Sequence, residues 1–61
     1  MDVKLLLTPK MVAARLSVAE STVYQLLTNG TIESVTIGRA RRIPADALIS
    51  YVNRLREEQR T

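Results

Sequence analysis

Side chains suited to covalent or acid–base chemistry are scarce in this chain. It has no Cys and no His, which removes thiolate nucleophiles, disulfides, imidazole bases and the usual zinc ligands. The six acidic residues are scattered without the paired spacing that general acid–base or metal chemistry needs, and no Gly-rich phosphate loop is present. An enzyme is not expected, and neither is a cofactor. The polar groups that remain fall into two clusters. One is the hydrogen-bonding set Glu20, Ser21, Thr22, Tyr24 and Gln25, in a stretch without Lys or Arg. The other is Arg39, Arg41 and Arg42, within four positions that hold no acid.

Each cluster suits one partner, a nucleic acid. Gln25 can pair bidentately with an adenine edge, and Glu20 can accept from a cytosine amino group. Ser21 and Thr22, in the first turn of a helix, offer hydroxyls beside free backbone N–H groups, an arrangement that suits phosphate. Tyr24 can lie along the sugar-phosphate backbone. The plainer roles are a favourable charge at the helix N-terminus for Glu20, capping for Ser21 and Thr22, and half-buried packing for Tyr24. Arg39 and Arg41 stand at a hairpin tip, where guanidinium groups suit a narrow, electronegative minor groove. Arg42 alternates with Arg41, so one of the two should point inward along the helices with its charge reaching solvent; Arg41 is expected to be the DNA-facing one. Thr36 and Lys10 are further candidate phosphate contacts. Met11 and Ala14, if exposed, could form a protein-contact patch, although scattered surface residues are the simpler reading.

The elements that would hold these groups are legible from period and punctuation. Leu5, Leu6 and Leu7 lead into Thr8-Pro9, a capping hydroxyl followed by a proline at the first helical position. A helix over Pro9–Leu16 puts Val12, Ala13 and Leu16 toward a core and Met11, Ala14 and Arg15 outside, with Leu6 or Leu7 packing back as a staple. Ser17-Val18-Ala19 is a short connection with Val18 tucked between helices. A second helix over Glu20–Asn29 buries Val23, Leu26 and Leu27 and stops at Asn29-Gly30, where glycine readily turns left-handed. Two short helices joined this tightly describe a helix-turn-helix. Beyond Gly30 the period changes. Ile32, Val35 and Ile37 alternate with polar residues as a strand with one buried face, Gly38-Arg39-Ala40 makes a loop, and Arg41-Arg42-Ile43 returns. Pro44 opens a third helix with Asp46 near its positive end, a stripe of Leu48, Val52 and Leu55, and Ile49 and Tyr51 on its flanks. Met1–Lys4 and residues 57–61 are expected to be loose ends.

Bulk properties agree with this. Sixty-one residues make a single small domain, mainly α with a small β-hairpin. A chain this short buries roughly 60% of the surface its unfolded form would expose, so its stability is a few kcal/mol at most. No apolar run approaches the ~18 residues of a membrane span, and no signal-peptide pattern opens the chain. A cytoplasmic location follows as the expectation. Nine basic against six acidic residues leave a net charge of only +3, so the placement of charge carries more information than its sum.

The run LLTPKMVAARLSVAESTVYQLLTNGTIESVTIGRARRIPADALISYV resembles the small winged-helix domain of excisionase-type proteins, related to the DNA-binding head of MerR-like regulators. It extends over most of the chain, from Leu6 to Val52. Its most specific pieces are Leu7-Thr8-Pro9, Ser21-Thr22-Val23-Tyr24, Asn29-Gly30, Ile37-Gly38-Arg39 and Arg42-Ile43-Pro44, in that order and spacing. The resemblance implies a winged helix-turn-helix whose helix from Glu20 lies in the DNA major groove, with the hairpin at an adjacent minor groove or backbone. It further implies a non-catalytic, DNA-bending accessory protein, encoded by a bacterium or a phage, that helps an integrase excise a mobile element. Several copies would be laid side by side on DNA.

Departures from the family pattern are specific. Ser17 stands where the turn commonly has Gly, so a left-handed conformation there costs more. Ala19 replaces a capping Ser, and Glu20 and Gln25 replace basic residues, which shifts the phosphate term to the wing arginines, Lys10 and Arg15. Two other readings stay open: a small MerR-like transcriptional regulator with the same DNA contacts, and a protein-interaction module using the polar helix face. The few residues after Leu55 weigh against a complete ligand-sensing regulator.

Overall fold

The structure, a computed structural model, describes residues 5–60; the segment Met1–Lys4, expected to be loose, lies outside the described residues, as does Thr61. In chain order the elements are β1 (Leu6–Leu7), α1 (Pro9–Leu16), α2 (Glu20–Thr28), β2 (Val35–Ile37), β3 (Ala40–Pro44) and α3 (Ala45–Glu58).

Local chemistry explains where the first two helices begin and end. Thr8 caps α1, its Oγ1 accepting from the Met11 amide at 3.1 Å, with Pro9 at the first helical position. The end of α1 is a Schellman motif: the Val18 amide donates to the Ala13 carbonyl at 3.1 Å and the Ser17 amide to the Ala14 carbonyl at 3.3 Å. Ser17 is left-handed there, with φ 59° and ψ 43°, the conformation that glycine would adopt at lower cost. The same motif closes α2 with a glycine in place. Gly30 has φ 79°, its amide donates to the Leu27 carbonyl at 3.3 Å, and the Thr31 amide donates to the Leu26 carbonyl at 2.9 Å. The start of α2 has no side-chain cap, because Ala19 has no oxygen to offer.

Leu7, Val12, Ala13, Val23, Leu27, Ile32, Ile43 and Leu48 form the core, and among the described residues no polar side chain is buried with them. Each large aliphatic member contributes roughly 1.5–3 kcal/mol of burial free energy. Met11, Leu16, Leu26, Ala47 and Tyr51 pack around this set, so Met11 is half-buried instead of outside.

Four expectations are corrected. First, Leu6 and Leu7 form a strand in addition to the expected staple: Leu7 is buried in the core with Val12 of α1, and β1 pairs antiparallel with β3, with Leu7 opposite Ile43 and Leu6 opposite Pro44. A three-stranded sheet results, in the order β1-β3-β2, and the Ala45 amide continues the pairing to the Leu5 carbonyl at 2.9 Å. Second, Val18 is 39% exposed, since backbone bonds and not its burial close the turn. Third, both faces of β2 are open, with Ile37 59% exposed, because α1 and α3 lie mainly against β3 and β2 projects past them. Fourth, α3 runs on to Glu58, beyond the point where loosening was expected.

In the hairpin, Val35, Thr36 and Ile37 face Arg42, Arg41 and Ala40. The turn is therefore Gly38-Arg39 alone, with Ala40 already in β3 and Gly38 at φ 62°. Glycine at the first central position is what a two-residue hairpin turn of the II′ kind requires. Three helices with this small antiparallel hairpin make a winged helix-turn-helix.

Candidate nucleic-acid interface

Burial sorts α2 into two sides. Val23 and Leu27 are buried and Leu26 and Thr22 half-buried, while Glu20, Ser21, Tyr24, Gln25 and Thr28 are exposed. The outward side is a surface of hydroxyls, a carboxamide and a single carboxylate, with no cation along it. Tyr24, Gln25, Thr28 and Asn29 line an open depression of about 450 Å³ on it. At the other end of the helix, Ala19, Glu20 and Ser21 are exposed. The first-turn amides there meet no capping side chain, and the positive end of the helix dipole opens to solvent beside the Ser21 hydroxyl.

The wing carries positive charge without acid. Arg39 occupies the tip of the hairpin, exposed, and makes no hydrogen bond or ion pair among the described residues; exposed Lys10 on α1 likewise makes none. Side chains alternate across a strand, so the register assigns faces. Thr36 and Arg41 share the face of buried Ile43, which looks toward the helices. Val35, Ile37 and Arg42 lie on the opposite face. The inward-reaching arginine was expected to be Arg42, and the register makes it Arg41. Arg41 is the one that reaches inward along the helices: its Nε donates to Ser34 Oγ at 3.0 Å and its Nη2 to the Leu27 carbonyl at 3.4 Å. Arg42 is half-buried on the outer face, with Nη1 donating to the Arg41 carbonyl at 2.9 Å. The physical reason is parity, since Ile43 must enter the core and Arg41 stands two positions from it.

Residues 6–56 match the family described as a helix-turn-helix domain. Over 47 residues, 77% of this chain and 76% of the relative, the sequence is 43% identical to an excisionase of Streptomyces ambofaciens. The chain belongs to the excisionase-type helix-turn-helix family. It is also 43% identical over 56 residues to a probable excisionase of Saccharopolyspora erythraea, covering 92% of this chain but only 57% of that relative's length. No solved structure matches. No helix among the described residues is long and apolar enough to cross a membrane.

Within this helix-turn-helix, the structure brings Glu20, Ser21, Tyr24 and Gln25 onto one exposed surface and connects the root of the wing to the far end of the same helix through Arg41. Thr22 sits at the edge of the apolar side, and Arg42 lies on the face of the sheet away from Arg41. Two participants had no role assigned from sequence. Ser34 accepts from Arg41, and Arg54 of α3 donates from Nη2 to the Thr31 carbonyl at 2.6 Å. Nothing in the periodicity points to either bond: the first crosses the hairpin between residues 7 apart, and the second joins residues 23 apart in the chain.

Proposed function

We propose that this chain is a sequence-specific, DNA-bending accessory protein that assists an integrase in excising a mobile element. In this reading α2 enters the major groove. Gln25 and Glu20 meet base edges, while Ser21, Thr22 and Tyr24 hold the flanking backbone. Arg39 at the wing tip reaches the adjacent minor groove or its phosphates, with Arg42 and Lys10 as further phosphate contacts. A single observation carries the reading: a helix with an exposed, cation-free hydrogen-bonding face is joined at its C-terminal end, through Arg41, to an acid-free, arginine-bearing hairpin. Base reading and phosphate neutralisation are thereby divided between two elements, and a protein that grips neighbouring grooves at once favours a deformed duplex. The names of the two excisionase relatives support the recombination role. The site of action is the element's attachment region in the cytoplasm, where copies can lie side by side.

The test is a recombination assay with the integrase of the mobile element and DNA carrying that element's attachment junctions. The chain should raise the yield of excised circles and shift the mobility of the attachment DNA in a bend-dependent way. Tight, specific DNA binding without any change in excision would contradict the integrase role and leave only the DNA-binding part.

A further inference from the structure

The negative end of α2 is held by two guanidinium groups that arrive from different elements. Arg41 comes from β3 to the Leu27 carbonyl, and Arg54 comes from α3 to the Thr31 carbonyl. Leu27 is in the last turn of the helix, and its carbonyl already accepts the Gly30 amide, so Arg41 uses the second lone pair. Thr31 belongs to the Schellman closure that follows, through its amide bond to Leu26. A cation at a helix C-terminus is electrostatically favourable, and guanidinium presents its donors in a fixed fork. Arg41 uses two arms of that fork, one on the helix and one on Ser34 in the connection leading to β2.

We propose that Arg41 and Arg54 are positioning residues that fix the end of α2 against the wing on one side and against α3 on the other. They set the separation and angle between the helix and the wing before DNA arrives. On this account the Arg41 charge is committed to the protein, and phosphate neutralisation by the wing falls chiefly to Arg39. The consequence for DNA rests on the DNA-binding reading above, whereas the clasp itself is a property of the free protein.

Both properties are measurable on the full chain. In the free protein, amide hydrogen exchange at Gly30, Thr31 and Ile32 should speed up several-fold in Arg41→Ala and in Arg54→Ala and stay unchanged in Arg39→Ala. Arg41→Gln, which keeps part of the length and one donor group, should fall between. All of these side chains are exposed, so the unfolding midpoint should move little. On duplex DNA carrying the attachment region, Arg39→Ala should lower the slope of log affinity against log salt by about one, as loss of a phosphate contact does. Arg41→Ala and Arg54→Ala should leave that slope alone, yet reduce both the preference for attachment-site over unrelated DNA and the bend. Unchanged exchange together with a reduced slope in Arg41→Ala would overturn the proposal, making Arg41 an ordinary phosphate contact. If the parent chain shows no salt-dependent DNA binding, the functional reading fails, and the exchange data alone decide the clasp.

Discussion

The helical body and the wing are built on different principles. In the body, Val12, Val23 and Leu27 are almost wholly withdrawn from water, and stability comes from apolar area. In the wing, every residue of β2 is exposed. The hairpin is shaped by its strand ladder and a glycine turn, and tied back to the body by Ile43 at its root and Arg41 beyond it. On the DNA-binding reading proposed above, folding and partner binding are therefore nearly separable. Changes in the body should act on the folded population, and changes at the wing tip should act on affinity at constant stability.

The largest effect that could break this contrast is in α2. Leu27→Ala should cost about 2–5 kcal/mol, comparable with the whole stability of so small a chain. Its urea or thermal unfolding curve should therefore lack a native baseline at room temperature. A cooperative transition near the parent midpoint would mean the core is not where the stability lies. A smaller change sharpens the comparison between the two helix ends, which share one closing motif but differ in the left-handed residue. Ser17→Gly removes a conformational penalty of roughly 1–2 kcal/mol and adds back part of it as unfolded-state freedom. A net gain of about 0.5 kcal/mol, or roughly 2–4 °C in the thermal midpoint, is expected from calorimetry. The smallest effect belongs to the wing. Ile37→Ser replaces a large apolar side chain that touches little, and should change stability by no more than about 0.5 kcal/mol. A large loss would show that β2 is covered in solution.

Local signals in the sequence were reliable because their causes are local. The Thr8-Pro9 start, the Asn29-Gly30 stop, the left-handed Ser17 and the missing cap at Ala19 all depend on neighbours within a few positions, and each stands where the sequence places it. The apolar side of α2 was legible for the same reason. The strand β1 was not, since two residues have no period and the partner strand lies near the other end of the fold. Alternation at Val35 and Ile37 revealed that the strand has two faces, but not that neither is covered. The faces of Arg41 and Arg42 were within reach, because counting back from buried Ile43 gives the parity; reading the hairpin from its tip gave the reverse. The bond from Arg54 to Thr31 had no signal at all, since an exposed arginine on a helix announces no partner.

Under the proposed function the division of labour runs between a cation-free helix surface on base edges and arginine charge on the wing. Its most direct test is the salt dependence of duplex binding for the parent chain, Arg39→Ala and Gln25→Ala. The account predicts that Arg39→Ala reduces the log–log slope by about one and weakens all sequences alike. It predicts that Gln25→Ala keeps the slope and loses roughly 1–3 kcal/mol of preference for the attachment site over a mutated one. A slope that follows Gln25 and ignores Arg39, or discrimination that survives the loss of Gln25 intact, would contradict it.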